Sequence, residues 1–137
     1  MNNGPLVPDS DLDFDADLVC TLDGLPFTGT AFEESPVLGR SEITYRDGVQ
    51  EGVARDWYPS GTLKGESEFV QGALHGVVRE FRPDGMLAEE SRYEYGIRIL
   101  RRTFAADGSA VTTEKLDEGG DEADLLQRLR RELGWPS

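Results

Sequence analysis

Across residues 45–108 the chain writes one short unit nearly twice and begins it a third time. Tyr45-Arg46-Asp47-Gly48, Phe69-Val70-Gln71-Gly72 and Tyr93-Glu94-Tyr95-Gly96 each set an aromatic three positions ahead of a glycine, once every 24 residues. Other columns hold the same register: Gly52 with Gly76, Val53 with Val77, Arg55 with Arg79, Asp56 with Glu80, Trp57 with Phe81, Pro59 with Pro83, Gly61 with Gly85 and Leu63 with Leu87. Glu42, Glu66 and Glu90 form one column more. A fixed period of this size constrains the fold strongly, because so short a unit buries its apolar surface only against its neighbours.

Glycines at 48, 61, 72, 85, 96 and 108 mark two chain reversals per unit. Arg-Asp-Gly, Pro-Ser-Gly, Pro-Asp-Gly and Ala-Asp-Gly put Pro, Ser or Asp ahead of a residue free to take positive φ. The runs between them, 53–58, 62–69, 77–82 and 87–95, are too short for an average helix and predict strands joined by hairpins. In 63–69 the alternation of Leu63, Gly65, Ser67 and Phe69 with Lys64, Glu66 and Glu68 has period two, which sends the charges to one face. The expected fold is mainly β: an open, twisted antiparallel meander of hairpin repeats.

The pattern Tyr-x-x-Gly-x-x-x-Gly, an aromatic pair, Gly-x-Leu and a glutamate resembles the MORN-type repeat, in the variant found in bacterial antitoxin or immunity proteins. The resemblance covers residues 24–112, with well-matched copies at 45–68 and 69–92. A degenerate copy precedes them at Gly24-Leu25-Pro26-Phe27-Thr28-Gly29; an eroded one follows, where Leu100 replaces the second glycine and one residue is missing before Asp107-Gly108. The resemblance implies a binding protein that inhibits a toxin or other basic partner, encoded nearby, by occluding it.

With 137 residues the chain is sized for one domain. The net charge of −13 excludes the phosphate-neutralising chemistry of nucleic-acid and anionic-lipid binders and points to a basic protein partner. Most of the excess lies in the flanks. Residues 1–39 carry eight acids and no base, 40–112 twelve acids and ten bases, and 113–137 seven and four. No apolar run approaches the roughly 18 residues of a membrane span, and Met1-Asn2-Asn3-Gly4-Pro5 lacks the basic and apolar regions of a secretory signal. A single cysteine, Cys20, favours a reducing compartment, the cytoplasm.

Residues 1–17 read as an acidic, weakly ordered arm, with Asp9, Asp11, Asp13, Asp15 and Asp17 at every second place. An EF-hand reading fails, since counting from Asp9 puts Phe14 at the glycine position and Cys20 at the bidentate glutamate position. No metal or cofactor is expected. The β-repeat domain spans 18–116, opening with a strand at 18–22, a return at 27–32 and a strand at 40–45. Cys20 reads as a packed residue whose acidic neighbours Asp17 and Asp23 oppose thiolate formation. A linker at 117–120 leads to a helix at 121–134, with Leu125, Leu126, Leu129 and Leu133 at helical spacing, acids first, arginines last, and Gly134 and Pro136 ending it. Its leucine stripe is expected to cap the sheet; binding a partner is the alternative.

Chemistry has few candidates. His75 is the one histidine and shares its turn column with Glu51, which reads as a solvated turn residue. As a fallback catalytic set it would act with Glu66 or Glu90 as acid and base, but a column copied along an array serves folding or an extended surface. The working surface expected on the repeats is Arg55, Trp57, Arg79 and Phe81 with the acids Glu42, Asp56, Glu66, Glu80 and Glu90; the competing reading packs the two aromatics in the sheet and pairs the arginines with acids across strands. Three functions stay open: an occluding binding protein, monomeric or an edge-paired homodimer; a small enzyme or accessory factor acting on a peptide or small molecule; and a structural scaffold.

Overall fold

The computed structural model describes residues 4–136. In chain order the strands are β1 (Leu6–Pro8), β2 (Asp13–Phe14), β3 (Cys20–Leu22), β4 (Leu25–Pro26), β5 (Gly29–Ser35), β6 (Gly39–Arg46), β7 (Val49–Gln50), β8 (Gly52–Trp57), β9 (Leu63–Val70), β10 (Ala73–Leu74), β11 (Gly76–Phe81), β12 (Leu87–Glu94), β13 (Ile97–Phe104) and β14 (Ala110–Lys115), followed by helix α1 (Asp121–Leu133). Eleven strands make one open sheet in the order β1-β5-β6-β8-β9-β11-β12-β13-β14, with β7 beside β6 and β10 beside β9; β2, β3 and β4 form a second, small sheet. Apart from the parallel β1–β5 pair the ladders are antiparallel, so the expected meander is the observed one.

The two glycine series make two kinds of turn. At one end of the sheet Asp47-Gly48, Gln71-Gly72 and Tyr95-Gly96 take φ of 50° and 80°, 47° and 85°, and 53° and 80°. Positive φ at both central residues is the type I′ hairpin, whose twist matches that of the strands it joins. Asp23-Gly24, at 53° and 81°, sets a fourth such turn one period earlier. At the opposite end the Gly61 N–H donates to the Tyr58 carbonyl and the Tyr58 N–H to the Thr62 carbonyl, both at 2.9 Å; Arg82, Gly85 and Met86 repeat the arrangement, as do Ala105, Gly108 and Ser109.

The second glycine of each unit has its own reason. Gly29 lies across from Tyr45, Gly52 from Phe69 and Gly76 from Tyr93, so each repeated aromatic stands beside a residue without a side chain. Gly52 and Gly76 also hold φ of 93° and 126° at the break that separates β7 from β8 and β10 from β11. Where Leu100 takes this position the break is gone, and β13 runs unbroken for eight residues.

Buried residues gather at the two ends. Cys20, Phe27 and Ala31 are buried at the first, His75, Ile97 and Leu126 at the other. Between them the sheet is a single layer. Its consequence is measurable: the accessible surface is 8756 Å², against about 7,100 Å² for a compact domain of this mass.

Residues 4–17 of the expected acidic arm contribute structure, while residues 1–3 lie outside the described part. β1 extends β5, Asp9–Asp11 form one 3-10 turn, and β2 pairs with β3. The alternation of Asp with Leu12 and Phe14 contributes: the two apolar side chains line a groove with Ala31, Ile43 and Tyr45, Leu12 half-buried and Phe14 still 59% exposed, and the aspartates stay exposed. Leu18, expected in a strand, sits instead in a turn at φ 63°.

Helix α1 closes the last hairpin, as expected of a cap, but by few contacts. Leu126 is buried, whereas Leu125 and Leu133 remain 36% and 49% exposed, so only part of the leucine stripe is used. Arg130 Nε and Nη2 donate to the two oxygens of Glu94 at 2.8 and 2.6 Å, and the Trp135 N–H donates to the Tyr95 hydroxyl at 2.9 Å. Gly134 ends the helix at φ 62°, the left-handed stop. Among the described residues no helix is long and apolar enough to cross a membrane.

Candidate partner-binding faces of the sheet

Alternation along each strand and register between strands divide the repeat surface into two faces. One carries a row of opposite charges. Glu42 pairs in register with Arg55, Arg55 with Glu66, Glu66 with Arg79, Arg79 with Glu90 and Glu90 with Arg102. Ion pairs join Arg55 to Glu66 at 3.5 Å, Glu66 to Arg79 at 3.2 Å, Arg79 to Glu90 at 2.9 Å and Glu90 to Arg102 at 2.8 Å. Arg40 closes the row on Glu42 at 2.9 Å. Hydrogen bonds from Arg102 and then Arg79 hold the Glu90 carboxyl below its ordinary value. With side chains 23–47% exposed, each pair contributes at most about 1 kcal/mol. What the row does is neutralise this face from within.

The opposite face is built in three stripes. Glu33, Ser41, Asp56, Gly65, Glu80 and Glu89 form its outer row by register. Four of the six are acids and none is basic. Asp56 accepts from the Ser41 hydroxyl at 2.5 Å and Glu89 from Arg101 at 2.7 Å; Glu80 has no hydrogen-bond or ion-pair partner among the described residues. Next comes a stripe of small residues, in which Ala54 faces Ser67 and Val78 faces Ser91. The third stripe holds Tyr45, Phe69 and Tyr93 with their opposed glycines.

The residues singled out in the sequence therefore separate. Arg55, Arg79, Glu42, Glu66 and Glu90 belong to the self-paired row; Asp56 and Glu80 belong to the acidic one. Trp57 and Phe81 sit at matching β-bulges, across from Leu63 and Leu87, and are half-buried. Cation–π contacts among the described residues join Arg40 to Phe32, Lys64 to Tyr58 and Arg102 to Phe104, and not the arginine–aromatic pairs expected from the repeat.

His75 is not solvated. It is 4% exposed, with Nδ1 accepting the Tyr95 N–H at 3.0 Å and Nε2 at 2.5 Å from the Pro136 carbonyl. This pairing fixes the neutral Nε2–H tautomer. The rings of Tyr95 and Trp135 pack edge-on to the imidazole at 4.8 and 5.3 Å. Residues beyond α1 fold over the turn column, which is why it is buried here. With both nitrogens bonded within the chain, and Glu66 and Glu90 tied to arginines, these three do not assemble into an acid–base site. Burial pushes the Cys20 thiol up, the cause being its packing and not the acids beside it. Among the described residues no three His, Cys, Asp or Glu side chains come together as metal ligands.

Two clasps between units escaped the sequence reading. Glu51 Oε2 accepts the Gln71 N–H at 2.8 Å, as His75 does that of Tyr95. At the other end the Tyr58 hydroxyl donates to the Phe81 carbonyl at 2.7 Å, and Arg82 donates to the Phe104 carbonyl. The signal was present: two columns whose members differ in type yet can make the same bond. Glu33, Glu89 and Ser91 were also missed, because only strand register brings them to the face of Asp56 and Glu80.

No curated protein matches the chain. Residues 50–71 and 74–95 match the family model of the MORN repeat variant, and these spans run from the end of one type I′ hairpin to the next. The centre of this sheet is thus made of two MORN-type repeats.

Proposed function

We propose that this chain is a non-catalytic binding protein that takes a basic protein partner on its acidic face and neutralises it by occlusion, as an antitoxin or immunity protein does. The observation that carries this reading is the unequal division of charge between two faces of one sheet. A row that alternates Glu and Arg needs no outside counter-charge; in the other row Glu89 is met by Arg101, but Glu33, Asp56 and Glu80 have no basic partner among the described residues, and these three need one. Charge complementarity of this kind speeds encounter, and aromatic stripe residues slow release. On this reading the protein works in the cytoplasm against a product encoded beside it, as a monomer or as a dimer through the wholly exposed edge strand β14.

The test is co-expression with the product of the adjacent reading frame. Relief of that product's toxicity together with a co-purifying complex supports the reading. Neither rescue nor complex removes it.

A further inference from the structure

We propose that the chain pairs with a second copy of itself along β14, antiparallel and centred on Thr113, so that two sheets run on as one. The inference stands apart from the function proposed above: it decides between the monomer and the edge-paired dimer that the reading leaves open.

A sheet that is not closed has two edges, and here they differ. At one of them β1 lies parallel to β5, with the Thr30 N–H donating to the Pro5 carbonyl at 2.9 Å. Alternation then turns the backbone groups of Val7 toward β5 and those of Leu6 and Pro8 outward. Pro8 has no N–H, so this three-residue strand offers the outside a single donor. Such an edge is blunted against pairing.

β14 at the other edge has no such device. Its six residues, Ala-Val-Thr-Thr-Glu-Lys, are all exposed, contain no proline and are β-branched at the centre. Among the described residues it pairs with β13 alone. The Leu116 N–H donates to the Ile99 carbonyl at 3.1 Å and Glu114 lies across from Arg101, so Thr112, Glu114 and Leu116 turn their backbone groups to β13. Those of Thr113 and Lys115 face outward.

Charge and register then select a copy of the same chain. Residues 97–115 carry four bases and two acids, whereas residues 1–39 carry eight acids and no base. A chain of net charge −13 meets itself with little repulsion at this basic end. A two-fold axis through a residue brings outward-facing amides onto outward-facing amides. Centred at Thr112, it would set Lys115 against Ser109, whose carbonyl already accepts from Ala105 at 2.9 Å; centred at Glu114, it would set two glutamates face to face. Centred at Thr113 it does neither. The two threonines then oppose each other, Lys115 lies across from Val111, and Glu114, held by Arg98 and Arg101 at 3.5 and 3.3 Å, lies across from Thr112. The strand is its own complement.

Residues opposed in this way share a face. Thr113 lies across from Arg102 in the Glu–Arg row, so the two such rows join on one side and the two acidic faces look to the other. Pairing along six residues covers less than the roughly 1,200 Å² of a standard interface, so the dimer is weak and dissociates in the micromolar range.

The test is sedimentation equilibrium of the full chain from about 1 to 500 μM. The unaltered chain is expected to pass from one copy to two. Thr113→Pro removes an N–H that faces away from β13, so it should leave the melting temperature nearly unchanged and weaken association by about tenfold or more. Thr113→Lys and Thr113→Glu, each set against itself across the axis, should each weaken it by about fivefold, and an equal mixture of the two should restore it. Leu6→Lys, at the other edge, should change it by less than about twofold. A chain that stays monomeric throughout, association unaffected by Thr113→Pro in a folded protein, or a mixture no tighter than its components overturns the proposal; so does a loss with Leu6→Lys, which would mark head-to-tail growth. If Thr113→Pro does not fold, the lysine and glutamate variants decide. These experiments use no other protein, so their failure leaves the binding-protein reading to its own test.

Discussion

The imidazole of His75 accepts the backbone N–H of Tyr95 at 3.0 Å. One unit earlier the Glu51 carboxylate does the same for Gln71 at 2.8 Å. In both cases the donor is a non-glycine residue held at positive φ, 53° for Tyr95 and 47° for Gln71, a conformation that costs roughly 1–2 kcal/mol. The side chain of one repeat thus stabilises the strained turn of the next.

His75→Ala should therefore destabilise the protein by about 1–3 kcal/mol, the cost of leaving buried groups unpaired. His75→Gln, which can accept from Tyr95 and donate to Pro136, should recover most of that loss. Urea unfolding of the three proteins measures it, and the two variants having equal midpoints would assign His75 to ring packing alone.

Acid should loosen the helix. Arg130 first, by its hydrogen bonds, holds the buried Glu94 carboxyl below its ordinary value of 4.5. A depressed carboxylate contributes stability that is present above the unfolded value and is lost as pH falls through the lower, folded one. In a Trp57→Phe background, Trp135 fluorescence should hold steady above about pH 5 and change below 4.5 as α1 releases. Arg130→Ala should bring the change to higher pH.

The break between β10 and β11 requires glycine. Gly76→Ala meets a φ of 126° and brings Cβ to 2.8 Å from the Glu68 carboxylate; Gly52→Ala meets a φ of 93° with room around it. Both should cost more than about 1 kcal/mol, and Gly76→Ala the more. Gly65→Ala, at a φ that any residue adopts, should cost less, although its Cβ would stand 3.2 Å from the Arg79 carbonyl. Thermal melts of the three variants order them.

Much of this was legible in the residues, and the reasons are specific. Glycine after Asp or Gln names a left-handed turn, and its recurrence fixed strand lengths, turn positions and the open meander. Leu100 foretold an irregularity in the last unit, although its form, a strand without a break, required the ladder to be seen. Faces were harder. A column tells which residues are equivalent, not which rows they join, and only the pairing of β8 with β9 and β11 with β12 shows that Arg55 and Glu66 share a row while Asp56 and Glu80 share another. His75 was misread because the carbonyl that buries it comes 61 residues later in the chain, and no local pattern encodes so distant a contact. Leu12 and Phe14 were hidden by the aspartates between them.

The most direct measurement is a titration of the adjacent gene product against the unaltered chain, Asp56→Lys with Glu80→Lys in one variant, and Glu68→Lys with Glu42→Lys in another. Equal charge is reversed on each face. Affinity should fall by at least about a hundredfold in the first variant and change little in the second. Equal losses, or a larger loss from the face that carries the Arg–Glu row, would contradict the assignment of the acidic face as the binding surface.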